Sequence, residues 1–343
     1  MLAVELGNDA RVPVVGEGGE FIGQVDLLHV EVRTDARRRR QRLLARSPAV
    51  LSPSPREREP IRFRSGPGAK PTATRPLIFG TVVTVRALHF YPIKSLRGLE
   101  TARVVVTDRG FEHDRRFMVV DATGRFLTQR TLPRMSLVSP AVDGDVLRLN
   151  APGADAVEVP LRPKIGDLQI VDVWGDRCQA FSLGDAPARW FTEFLGVPCS
   201  LVFMPDASVR ETNPAYGPGR VGFADAFPFL LTSTSSLADL AVRGGAVPME
   251  RFRPNIVVEG SDPFAEDGWT RIRIGAVTFR VVKPCVRCAI TTVDPNVGAF
   301  VGIEPLRTLA TFRRFGDGVL FGMNLVNETG GVIGVGATAE VLG

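Results

Sequence analysis

Histidine and cysteine are scarce in this chain of 343 residues. The three histidines, His29, His89 and His113, are too few and too scattered for a multi-histidine metal site. The four cysteines, Cys178, Cys199, Cys285 and Cys288, cannot staple a disulfide scaffold of this size. The N-terminus lacks the basic-then-apolar order of a secretory signal, so a reducing, cytoplasmic setting is expected. No uninterrupted apolar run of about 18 residues occurs, which excludes a membrane-spanning helix. Neither GxxxxGK[ST] nor GxSxG is present, which removes the P-loop nucleotidases and the α/β-hydrolases. Gly334, Gly336 and Ala339 do match GxGxxA. That pattern needs a long helix and an acidic residue beyond it, and the sequence supplies neither.

Hydrophobic residues at 44% and charged residues at 23% are those of a globular protein with room for two domains. The net charge of +5 is concentrated early, around Arg37, Arg38, Arg39 and Arg40. The remainder is close to balanced, so the total predicts no nucleic-acid groove. Residues 1–80 combine this Arg run with Ser-Pro and Gly-Pro repeats and little apolar periodicity. Such a segment has too little surface to bury to offset its ordering entropy. It reads as a disordered tail or as the product of a start codon set too far upstream; the alternative is a polybasic arm for an anionic surface.

From Thr81 the texture changes to short β-branched runs: 82–88, 101–107, 116–120, a turn at 121–124 leading into 125–128, then 146–149 and 156–159. Strands return at 255–258, 272–274, 277–282 and 289–293, and again at 331–336 and 339–342. The fold class is therefore mainly β with a few helices, a sandwich or barrel. Two helices stand out. One runs from Asp185, a candidate cap, through Trp190, Phe191, Phe194 and Leu195 to a stop at Gly196. The other follows the hydroxyl run at 232–236. A polar stretch at about 206–222 separates a domain at 81–205 from one at 206–343.

Cys285 and Cys288 form a lone CxxC. It could be half of a zinc site, a redox pair, or two buried small apolar residues. Cys178 and Cys199 supply no second pair, and no helix is expected to start at the motif. Lys283 and Arg287 raise it above the structural reading, because neighbouring cations favour the thiolate that binds metal. Lys94 and Ser95 sit in a turn after a strand, a combination that favours an anion. Arg251 and Arg253 precede another strand.

Taken in order, Tyr91-Pro92-Ile93-Lys94-Ser95, Asp114-Arg115-Arg116-Phe117, Phe252-Arg253-Pro254-Asn255, and Lys283 to Cys288 with Thr291 to Pro295 resemble the MOSC family with its N-terminal β-barrel domain. The likeness is to its bacterial reductases and to the mitochondrial amidoxime-reducing components. The resemblance spans about residue 82 to the C-terminus. It implies a pterin molybdenum cofactor between two β-rich domains, with Cys288 as the metal ligand and Cys285 as a neighbour. It also implies that Lys94, Ser95 and Arg115 hold pterin and phosphate. Arg253 and Asn255 form a second cluster at the cofactor, and Arg287 adds charge beside the metal. Asp225 matches an acidic residue near the metal with a proton-handling role. The family carries a pyridoxal phosphate association as well. The implied activity is reduction of N-hydroxylated compounds. The cysteines of an appended iron–sulfur domain are absent, so electrons would come from a separate ferredoxin-, cytochrome b5- or flavin-reductase-like protein. A cofactor carrier or sulfurtransferase using Cys288, or a plain β-rich binding protein, are the rival readings. Ala226 and Phe227 replace two small hydroxyl residues of the mitochondrial proteins, and Asn324 a tyrosine, which bears on substrate shape.

If residues 1–80 add no stability, a chain beginning at residue 80 should melt at the same temperature as the full chain by scanning calorimetry. A clearly lower melting temperature would show that the segment belongs to the fold.

Overall fold

The computed structural model describes residues 82–343 together with two short strands, Arg11–Val15 and Phe21–Asp26, which pair antiparallel. The rest of residues 1–81, on which the expectation of a disordered tail falls, lies outside the described residues.

In residues 82–343 most of the short β-branched runs become strands with period-two burial, whereas the run expected as a strand at 289–293 forms a 3-10 turn, Ala289–Thr292. In Arg103–Thr107 the side chains of Val104 and Val106 point inward while Arg103 and Val105 face solvent, and Arg271–Ile274 buries Ile272 and Ile274 in the same way. Two runs are buried on both faces, Phe117–Val120 and Phe229–Ser233. Phe229–Ser233 is internal to the largest sheet, between Gly318–Asn327 and Ile256–Glu259, where a continuous apolar sequence is required.

That sheet has nine strands. Its order runs Ala339–Val341, Arg271–Ile274, Val277–Arg287, Gly318–Asn327, Phe229–Ser233, Ile256–Glu259, Thr84–Phe90 and Leu99–Thr101, with Arg314–Phe315 also paired to Gly318–Asn327. The one parallel pair, Phe229–Ser233 with Ile256–Glu259, is joined through the helix Thr234–Leu240. Ser233 starts that helix by accepting a hydrogen bond from Ser235 N at 3.2 Å. Strand Thr84–Phe90, early in the sequence, thus lies in a sheet built mostly from the second half of the chain. Late strand Gly331–Gly334 returns the exchange by pairing with Arg103–Thr107.

Most of the remaining strands form a four-stranded sheet, Leu168–Val173, Asp176–Ser182, Ser200–Phe203 and Phe117–Val120, and a three-stranded sheet spanning residues 139–160. Helix Asp185–Leu195 closes this part by burying Phe191, Phe194 and Leu195. It ends at Gly196 with φ 72°, as expected. Its cap differs: Gly184 occupies the cap position and Asp185 lies in the first turn, where a carboxylate still complements the helix dipole. The expected strand at 125–128 does not form. Asp121 Oδ1 accepts from Thr123 N and Arg125 N, closing the turn, and only isolated bridges from Arg125 and Phe126 follow before the chain turns again.

Phe229 joins the two contributions to the main core. Its ring is edge-on to Phe111 at 5.0 Å and to Phe279 at 5.2 Å. Phe229→Ala should cost about 3–5 kcal/mol, measured by denaturant unfolding of both proteins; a loss under about 1 kcal/mol would show that the contact is dispensable.

Candidate cofactor site

Three loop segments carry Lys94, Ser95, Arg115 and Asp225, half of the expected site residues, and backbone hydrogen bonds knit them together. Residues 91–95 follow strand Thr84–Phe90, and Lys94 N bonds Phe117 O at 2.9 Å. Residues 113–116 precede Phe117–Val120, and Arg115 N bonds Tyr91 O at 2.6 Å. Residues 222–225 precede Phe229–Ser233, and Phe223 N bonds Arg115 O at 2.7 Å. A side chain at Gly222 would meet Arg115 O at 2.7 Å, so this crossing requires glycine. Arg210, buried, fixes the third segment by donating to the carbonyls of Gly222, Ala224 and Asp225 while its Nε holds Asp176.

At the centre of the knot is Asp114. It accepts from Tyr91 N at 2.7 Å, from Arg115 at 2.6 Å and from Asn255 Nδ2 at 3.2 Å. Burial pushes its carboxyl up, and Arg115 and these hydrogen bonds oppose that shift. Asn255 is fully engaged as a brace: besides Asp114 it reaches His89 O, Arg115 and Leu230 N. Tyr91 lies between two guanidinium groups, Arg115 at 4.5 Å and Arg253 at 4.2 Å from its ring. Burial lowers Arg253 to about 10. Ser95 and Arg115, with φ 63° and 48°, adopt left-handed backbone conformations at the same place, as does Arg253 at 55°.

A second cluster surrounds Asp225. Lys94 Nζ is buried and ion-pairs with its Oδ1, also donating to Phe223 O at 2.8 Å. Arg130 donates to Oδ2 at 3.0 Å, and Trp174 Nε1 to Oδ1 at 3.1 Å. Desolvation raises the Asp225 pKa, but Lys94 and Arg130 outweigh it and hold the carboxyl well below the usual carboxylate range. Burial brings Lys94 down to about 8 even with Asp225 acting the other way.

Cys288 ends the long strand Val277–Arg287 and caps a short 3-10 turn, Ala289–Thr292. Its carbonyl accepts from Thr291 N at 3.1 Å and Thr291 Oγ1 at 3.0 Å, which fixes the loop. Arg287 does not turn toward it. The Arg287 guanidinium bonds Cys285 Sγ at 3.0 Å and Phe252 O at 2.7 Å. The cation nearest to it in electrostatic effect is Arg130: burial lowers its pKa, but Cys288 and Asp225 outweigh that and hold it raised. Sequence reading missed Arg130, Trp174 and Arg210. Each sits far from the CxxC in sequence, in a turn or loop with no motif around it, and only pairing of the two halves brings them in.

The donor set tests the expected cofactor. Among the described residues no three His, Cys, Asp or Glu side chains converge on a metal position. A lone thiolate suits a metal whose other ligands arrive with it, as dithiolene sulfurs would. Arg97 Nε, Arg251 Nε and Arg287 Nε are buried and lack hydrogen-bond partners, a surplus of donors that calls for an anionic group. Arg97 and Arg251, with Arg253 and Tyr91, line a cavity of about 220 Å³ beside the cysteine loop. The residues present fit an anionic, sulfur-bearing metal cofactor.

The MOSC N-terminal beta barrel domain matches residues 82–198, and the MOSC domain matches residues 218–340. The chain belongs to the MOSC family. It is 36% identical over 295 residues to mitochondrial amidoxime-reducing component 1 of Homo sapiens, covering 80% of this chain and 87% of that protein. It is also 36% identical over 282 residues to mitochondrial amidoxime reducing component 2 of Rattus norvegicus, with 74% and 82% covered. A molybdenum cofactor sulfurase of Danio rerio is 30% identical over 273 residues, covering 73% of this chain but 32% of its own length.

Because the folded-state pKa of Asp225 is depressed, its stabilisation is complete above the ordinary value of 3.8 and is lost as pH falls through the lower value. Asp225→Asn should therefore melt below the parent protein near neutrality, and the gap should begin to narrow below about pH 4. Melting curves from about pH 7 to about pH 3 would show this; a gap constant with pH would remove Asp225 from the charge cluster.

Proposed function

We propose that this chain is a molybdenum-cofactor-dependent reductase of N-hydroxylated compounds, receiving electrons from a separate electron-transfer protein. The observation that carries the reading is Cys288: a single cysteine on a fixed loop, beside a cleft lined by buried arginines with spare donors. Membership of the MOSC family and the likeness to amidoxime-reducing components support it.

In this reading Cys288 binds the metal, and Lys94, Arg115 and Arg253 balance the negative charge of the dithiolene and phosphate. When bound, the cofactor supplies two-electron chemistry. Ser95 and Asn255 belong to the rigid frame that positions those cations. Arg287 supports the loop through Cys285 and Phe252 O. Reduction of an N–OH group takes up protons as well as electrons. Asp225 stays ionised near neutrality, so Lys94, lowered to about 8, is the group that holds a proton releasable there, with Asp225 as its hydrogen-bond acceptor. A reducing cytoplasmic setting would keep the Cys288 thiol free.

The similarity to a molybdenum cofactor sulfurase favours a second reading, in which Cys288 passes on sulfur or cofactor. Elemental analysis separates the two. Protein expressed where the cofactor is made should carry near-stoichiometric molybdenum and reduce an amidoxime with an artificial electron donor. Cys288→Ala should lose both while keeping the melting temperature of the cofactor-free parent. A persulfide on Cys288 in metal-free, folded protein would favour transfer instead, and full activity of Cys288→Ala would overturn the assignment.

A further inference from the structure

We propose that Trp174 is the positioning residue for Asp225: it occupies a hairpin tip that suits tryptophan poorly, and from there its indole N–H holds the carboxylate against Lys94. This rests on the Lys94–Asp225 pair handling a proton in the reduction, and goes beyond it by naming the residue that keeps the pair in place.

The hairpin joins Leu168–Val173 to Asp176–Ser182, with Val173 opposite Asp176. Its turn is Trp174, with φ 59°, and Gly175, with φ 89°. Positive φ at both positions is what the favoured two-residue hairpin turn requires, and Asn, Asp or Gly usually fills the first of them. A bulky side chain there is strained and persists only where its surroundings hold it. The turn itself does not need the indole, because Gly175 N donates to Asp172 Oδ1 at 3.2 Å and closes it.

The contacts of the indole lead to the site instead. Its Nε1 donates to Asp225 Oδ1 at 3.1 Å, the oxygen that also pairs with Lys94. Arg130 lies over the ring at 4.9 Å and donates to Asp225 Oδ2 at 3.0 Å. Phe126 packs against the ring at 5.0 Å. Indole and guanidinium thus form a clasp, stacked on each other, with one donor for each carboxylate oxygen. Asp225 depends on it. Arg210 fixes its backbone carbonyl at 2.9 Å, but its side chain is 49% exposed and free to rotate unless its oxygens are held. The charged groups around the pair are cations, Arg130, Arg115, Arg210 and Arg253. A neutral N–H aims the carboxylate without adding another positive charge that would drive the proton off Lys94.

The test uses the full chain, with and without cofactor, comparing the parent, Trp174→Phe, Trp174→Asn, Asp225→Ala and the combination of Trp174→Phe with Asp225→Ala. Phenylalanine keeps a ring and removes the N–H. Asparagine suits the turn, so should Trp174→Phe fold poorly, Trp174→Asn takes its place throughout. In cofactor-free protein, the drop in denaturant midpoint caused by Trp174→Phe should shrink by at least half once Asp225 is replaced. In loaded protein reducing an amidoxime, both Trp174 variants should lose roughly tenfold or more in kcat, with KM changed far less. With one donor fewer on its partner carboxylate, Lys94 holds its proton more tightly, so the alkaline limb of the kcat profile should move to higher pH. Equal drops in midpoint with and without Asp225, or an unchanged kcat and pH profile in folded Trp174→Asn, would overturn the proposal. A parent that carries no molybdenum and reduces no amidoxime would instead sink the reading on which it rests, and the unfolding comparison alone would then decide whether Trp174 holds Asp225.

Discussion

Everything at this site hangs on the burial of one carboxylate. Asp114 has almost no contact with solvent and is surrounded by the groups that need to be held: the amide of Tyr91, the guanidinium of Arg115 and the amide of Asn255. A buried carboxylate without those partners would be costly, and removing any partner leaves it uncompensated. It therefore acts as a geometric specification as much as a stabilising contact. The Tyr91 turn, the Arg115 turn and the Arg253–Asn255 segment come from distant parts of the sequence. They meet because each supplies one donor to the same two oxygens.

On this frame the site gathers more positive charge than it neutralises. Arg115 and Arg253 flank one tyrosine ring, Lys94 is buried, and several guanidinium N–H groups nearby lack acceptors. Like charges held together in a poorly solvated place favour whatever anion can enter. Burial, with neighbouring cations adding to it, lowers the pKa values of Lys94 and Arg253, while Lys94 and Arg130 hold Asp225 ionised. The protein holds a charge pattern complementary to an anionic ligand, and its stability is poised against its affinity for that ligand.

Much of this could be read from residue order. The β-rich class, the helix ending at Gly196 and the helix after Ser233 follow from periodicity and capping. The Lys94 turn and the Cys285–Cys288 pair were visible because several unusual residues fall within a few positions of one another. Arg130 was not, since nothing local distinguishes it from the other arginines; its meaning is set by Asp225 across the fold. Arg287 illustrates the opposite error. Adjacency in sequence suggested a partner for Cys288, but on an extended strand neighbouring side chains face opposite ways. Arg287 instead meets Cys285, two residues back on the same face. The failed strand at 125–128 has a similar origin, because Asp121 offers its side chain to the backbone and the turn closes without a ladder behind it.

The exchange of strands between the two ends of the chain bears on how the protein comes to exist. Strand Thr84–Phe90 finds its place beside Ile256–Glu259, and Arg103–Thr107 waits for Gly331–Gly334. On a ribosome these early strands emerge long before their partners are made. Val104, Val106 and the open edge of Thr84–Phe90 must spend that interval unpaired, which exposes apolar surface and free backbone groups to other chains. Pairings this far apart in sequence also slow the search for the native arrangement. Transient exposure to aggregation during synthesis is the cost of assembling one site from both ends of the sequence.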